Sequence, residues 1–123
     1  MLNQVVLVGR VVSDPVLEIT ESKGSVSNIT VACPRSYKNA DGEYETDFIN
    51  TVLWNGIAEN VTNYVKKGDL IGIKGRLQSF KITKEDGSSE NRLELIAEKV
   101  TFLSSKKQDD ENGEEQDGRE ENN

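Results

Sequence analysis

Phe48 and Trp54 lie six residues apart in a run that reads as one β-strand, so their rings leave the sheet on the same face. Period-two alternation puts Phe48, Asn50, Val52 and Trp54 on that face and Ile49, Thr51 and Leu53 on the other. The second set leans apolar and suits a core. The first set is then free to meet something flat, and the chemistry it offers is stacking on π-faces.

Bond-making chemistry has little to work with here. The 123 residues include no histidine and a single cysteine, Cys33. The commonest general base and zinc ligand is therefore missing, and no intramolecular disulfide is possible. No catalytic residue, metal site or cofactor is expected, and the chain reads as a non-enzyme. Cys33 continues the apolar alternation of Ile29 and Val31 and is expected to pack as a small core residue. No apolar run approaches the roughly 20 residues of a membrane span. The start, Met1-Leu2-Asn3-Gln4, lacks the basic-then-apolar pattern of a signal peptide. A cytoplasmic protein without membrane contact is the expectation.

The formal net charge of −7 describes the two ends of the chain unequally. Residues 104–123 contain no apolar side chain and hold eight acids against three bases, while residues 1–103 hold fourteen against twelve. A segment of that composition buries too little to offset its ordering entropy, so 104–123 is expected to be a disordered acidic tail after one domain over 1–103. Within that domain, Arg10, Arg35, Lys38, Lys67, Arg76 and Lys81 fall in or beside strands and turns, where a shared basic surface could form.

These residues need a scaffold, and strand signals dominate the chain. Extended runs are expected over 4–11 with a bulge or bend at Gly9, over 16–20, and over 26–35. Pro34 must sit at an edge, a bulge or a strand end, because it cannot donate to a ladder. Asn39-Ala40-Asp41-Gly42 reads as a hairpin tip leading into the Phe48–Trp54 strand. One helix is expected over 57–65, with Asn55 capping its start and Ile57, Ala58, Val61 and Val65 on one stripe. Two further strands follow over 70–84 and 92–103, the first interrupted by Gly72 and Gly75. An all-β, five-stranded barrel with one short helix between strands 3 and 4 is the OB-fold order, an architecture used to bind oligonucleotides and oligosaccharides.

The residues carry a closer likeness. Asn3-Gln4-Val5-Val6-Leu7-Val8-Gly9-Arg10, Asp14-Pro15, Asn28-Ile29-Thr30-Val31-Ala32, Arg35-Ser36-Tyr37, Thr46-Asp47-Phe48, Val52-Leu53-Trp54, Lys67-Gly68 and Gly75-Arg76-Leu77-Gln78 occur in this order over 2–103. Their order and spacing resemble the bacterial single-stranded DNA-binding protein family. That resemblance implies a homotetramer of OB-folds, associated with the nucleoid, that binds single-stranded DNA without marked sequence preference during replication, recombination and repair. It implies stacking on Tyr37, Phe48 and Trp54; among the bases, Arg10, Arg35, Lys38, Lys67, Arg76 and Lys81 are the expected phosphate contacts.

Two departures from the family pattern stand out. The aromatic that the family places on the long strand after the helix falls at Ile82. Phe80, two residues earlier with the same parity, is either its substitute or an ordinary packing residue. The family's acidic tail ends in an apolar anchor for partner enzymes, whereas this chain closes Glu120-Glu121-Asn122-Asn123, which puts enzyme recruitment in doubt. Other motifs fail on context. Gly72-Ile73-Lys74-Gly75 has the spacing of an RNA-binding KH loop but lies in a strand, and Gly68 to Gly75 lacks the Lys-Ser/Thr of a phosphate-binding loop. A protein-interaction OB-fold is the runner-up function. A nuclease would need clustered carboxylates that the folded part does not show.

Overall fold

Strands form where the alternating and β-branched runs lie. The computed structural model describes residues 1–106 and shows β1 (Val5–Val11), β2 (Glu18–Ile19), β3 (Ser25–Lys38), β4 (Tyr44–Trp54), α1 (Asn55–Tyr64), β5 (Leu70–Thr83) and β6 (Ser89–Ser104). β2 is a two-residue pairing against the start of β3. The other five strands run in the order β1-β5-β6-β4-β3, and β1 also pairs with β3, which closes a barrel. The helix sits between the third and fourth of these long strands, as the OB-fold order requires. Most of the expected tail lies outside the described residues. β6 itself runs to Ser104, and the Lys106 backbone N–H donates to Asp69 Oδ1 at 3.3 Å.

The core fills the barrel from the inward-facing parity. Val11, Ile29, Val31, Leu53, Ile71 and Ile73 are buried together, and Ala58, Val61 and Val65 close the cluster from the helix side. Ile57 and Cys33 pack against it as partly buried residues, so the helical stripe and the core role of Cys33 both hold. Burial and the neighbouring Asp47 carboxylate push the Cys33 thiol up. Ser27 and Thr51 bury hydroxyl oxygens without a hydrogen-bond partner among the described residues.

Three local expectations change. Gly9 makes no bulge, since it stays in register opposite Ile71 while β1 passes from β5 to β3. Its missing side chain matters for closure, because a Cβ there would lie 2.5 Å from the Ala32 carbonyl oxygen and from Val31 Cγ1. Asn55 does not cap the helix. It has a left-handed φ of 52°, and its Oδ1 accepts the Ser25 N–H at 3.1 Å, tying the helix start to the first residue of β3. The helix accordingly begins at Asn55 and leaves Val65 as its C-cap. Pro34 behaves as expected: the β3–β4 register slips between Pro34 and Lys38.

Candidate nucleic-acid interface

β4 divides as its alternation predicts around Phe48, but Val52 on the outer side is buried along with Thr51 and Leu53. Thr51 and Leu53 are fully buried and Ile49 is half-buried, whereas Phe48 is 66% exposed on the other side. Asn50, on the Phe48 side, accepts a hydrogen bond from Thr30 Oγ1 at 2.7 Å, which fixes the surface between the strands. Trp54 is half-buried, packed against Val26, Val52 and Ile96.

On the Phe48 side of Thr51 the sheet opens. β4 and β6 pair in parallel through Thr51–Leu95 and Val52–Ile96, and the described pairing stops there. In the gap lies an open depression of about 530 Å³ whose walls include Phe48, Asn50, Val52, Leu77, Phe80 and Arg92. Phe80 is 36% exposed and stands directly opposite Arg92 in the β5–β6 ladder. Phe48 and Phe80 therefore share one concavity although 32 positions separate them in the chain. Trp54 adjoins it through Val52, which lines the depression and also packs on the indole. Ile82 is half-buried, two residues beyond Phe80. Tyr37 is exposed on the β3–β4 hairpin.

The six cations do not form one surface. Arg35 donates Nε to Asp47 Oδ2 at 3.0 Å, Nη2 to Asp47 Oδ1 at 2.8 Å, and Nη1 to Glu45 Oε1 at 3.0 Å. Because Asp47 and Phe48 are consecutive on a strand, this clamp lies on the face away from the Phe48 ring. The guanidinium holds the Asp47 carboxyl below its ordinary value. Arg10 donates Nη1 to the Gly68 carbonyl at 2.9 Å and joins β1 to the loop after the helix. Arg76 bonds Gln78 at 2.9 Å and lies 3.7 Å from Glu98. Lys81 pairs with Asn91, one position along from the Phe80–Arg92 pair, and so leaves the hairpin on the opposite face to Phe80. The Lys67 side chain is exposed, and its backbone N–H donates to Asp14. Lys38 holds its ammonium 5.6 Å from the centre of the Tyr44 ring.

Phe48 and Phe80 line the depression with Arg92, while Arg35 and Lys81 leave on the opposite face. Among the described residues no group of three or more His, Cys, Asp or Glu could hold a metal ion. A model of the single-strand binding protein family matches residues 2–103. The chain belongs to that family.

Relatives within the single-strand binding protein family align along most of this chain. Single-stranded DNA-binding protein 3 of Listeria innocua serovar 6a is 46% identical over 106 residues, covering 86% of this chain and 66% of that protein. Single-stranded DNA-binding protein A of Bacillus subtilis is also 46% identical over 106 residues, covering 86% of this chain and 62% of that protein. Single-stranded DNA-binding protein B of the same organism is 42% identical over 106 residues, which make up 94% of its length. The chain thus spans about two thirds or less of the first two relatives and nearly all of the third. The family is one of binding proteins rather than enzymes.

For this single-strand binding family member, sequence reasoning missed Arg92 and Leu77. Arg92 lines the depression with Phe80, half-exposed, its Nε 3.3 Å from Glu90 Oε2. Lys84 and Arg92 together hold the Glu90 carboxyl below its ordinary value. Spacing along β6 alone could not find Arg92, since its place beside Phe80 depends on the β5–β6 register. That register shifts between Lys74 and Gly75.

Proposed function

We propose that this chain binds single-stranded DNA without marked sequence preference, stacking bases on Phe48, Trp54, Tyr37 and Phe80 while lysines and arginines meet the phosphates. The observation that carries this reading is the Phe48 ring, exposed beside Phe80 and Arg92 in an open depression. Every base has a π-face and every nucleotide a phosphate, so such a surface holds a strand without reading its letters. Lys38 and Lys67 are exposed for that purpose, Lys81 is exposed on the opposite face to Phe80, and Arg10, Arg35 and Arg76 must exchange protein partners to reach a phosphate. Protection of DNA during replication, recombination and repair, at the nucleoid in the cytoplasm, is the corresponding cellular role.

The functional unit is a homotetramer. Supporting this, Val6 and Val8 project from one side of β1 and are more than half exposed on the isolated chain, an apolar row that a second copy would cover. Sedimentation as four chains is the corresponding check.

A titration with oligo-dT, followed by intrinsic fluorescence at several salt concentrations, tests the reading. Trp54 is the only tryptophan, so quenching reports on that ring. If about six phosphates are neutralised, log affinity should fall with log salt at a slope of roughly −4. A slope near zero would remove the phosphate contacts, and absence of both quenching and a mobility shift would sink the whole proposal.

A further inference from the structure

The β3–β4 hairpin extends the depression in a direction that the family pattern does not mark. β4 is unbroken from Tyr44 to Trp54, so Tyr44 has the parity of Phe48 and its ring leaves on the same face. It is 61% exposed. Four residues of strand place it about 13 Å beyond Phe48 along β4. Across the ladder its partner is Lys38, brought opposite by the slip after Pro34, and a directly paired residue shares its neighbour's face.

We infer that Tyr44 and Lys38 form a further nucleotide subsite, in which the Tyr44 ring stacks a base and the Lys38 ammonium meets the adjoining phosphate of the same single strand held at Phe48. The inference rests on the proposed DNA-binding reading and lengthens its track. Lys38 makes no ion pair among the described residues, in contrast to Arg35, whose charge Asp47 and Glu45 occupy on the opposite face. The ammonium already lies 5.6 Å from the ring centre, so ring and cation form one unit. Past Tyr44 the hairpin tip carries Glu43 and Asp41, which repel phosphate and end the track there.

The test compares binding of dye-labelled oligo-dT of increasing length by wild type, Tyr44→Ala, Tyr44→Leu, Tyr44→Phe and Phe48→Ala, with melting temperatures for each. Tyr44→Ala and Tyr44→Leu should weaken binding of the longer oligonucleotides by about 5- to 150-fold, the effect of losing one stacked base. Tyr44→Phe should bind as wild type, because stacking needs the ring and not the hydroxyl. Lys38→Met should reduce the salt slope by about 0.7. Tyr44→Leu keeps a side chain against the Lys38 stem, so a folded variant remains if Tyr44→Ala does not fold. Wild-type affinity in Tyr44→Leu alongside a loss in Phe48→Ala would overturn this subsite and leave the depression standing. No binding by wild type would overturn the DNA-binding reading and this subsite with it, and affinity unchanged in both Phe48→Ala and Tyr44→Leu would overturn both rings as platforms.

Discussion

Phe48→Ala is expected to weaken oligo-dT binding by about 5- to 150-fold, equivalent to losing one base stacked at roughly 1–3 kcal/mol. Two thirds of the residue is open to solvent, so truncation removes little from the core, and stability should change by no more than about 0.5 kcal/mol. The separation of the two effects is the diagnostic. Phe48→Tyr should bind as wild type, since the π-face survives. Trp54→Ala is the instructive contrast: its indole packs on Val26, Val52 and Ile96, so affinity and stability should fall together. Fluorescence anisotropy with labelled oligo-dT and a thermal melt on the same sample check this. Unchanged affinity in a folded Phe48→Ala protein would refute the assignment of this ring as a platform.

Leu53→Ala should cost about 2–5 kcal/mol of stability, the range for truncating a fully buried leucine whose cavity cannot collapse. Leu53 is 0% exposed and belongs to the cluster formed with Val31, Ile71, Ile73 and Val61. For a domain of this size the melting temperature should drop by at least about 8 °C. The measurement should hold protein concentration constant, because self-association would add concentration-dependent stability. Binding measured well below the lowered melting temperature should change far less than in Phe48→Ala, as Leu53 and Phe48 face opposite sides of β4. A loss of under about 1 kcal/mol would show that the inner face of this strand is not the support for its outer face.

Much of this was legible in the chain itself. Thr51 and Leu53 are inside and Phe48 outside because alternation along an extended backbone is a local property. The helix stripe of Ala58, Val61 and Val65 came through for the same reason, as did the turn at 39–42. An Asn before a helical run is the usual cap, but the start of β3 offers the Asn55 side chain another donor, the Ser25 N–H. At Gly9 a bulge and a close approach ask for the same residue, and the Ala32 carbonyl that excludes a Cβ there is 23 positions away in the chain.

The candidate site divides along the same line. Ring identity and the parity of β4 depend only on residue type and spacing, so the sequence by itself determined an amphipathic strand with Phe48 on its outer face. Which distant groups share that surface depended on the closed barrel. Phe80 and Arg92 come to Phe48 because β4 and β6 are apart ahead of their two paired positions, and the β5–β6 register slips at Lys74 and Gly75. Arg35 turns to Asp47 and Glu45, while Lys38 turns to Tyr44, through the slip after Pro34. Slips and strand separations are settled by packing between residues far apart in the chain, and no local period records them.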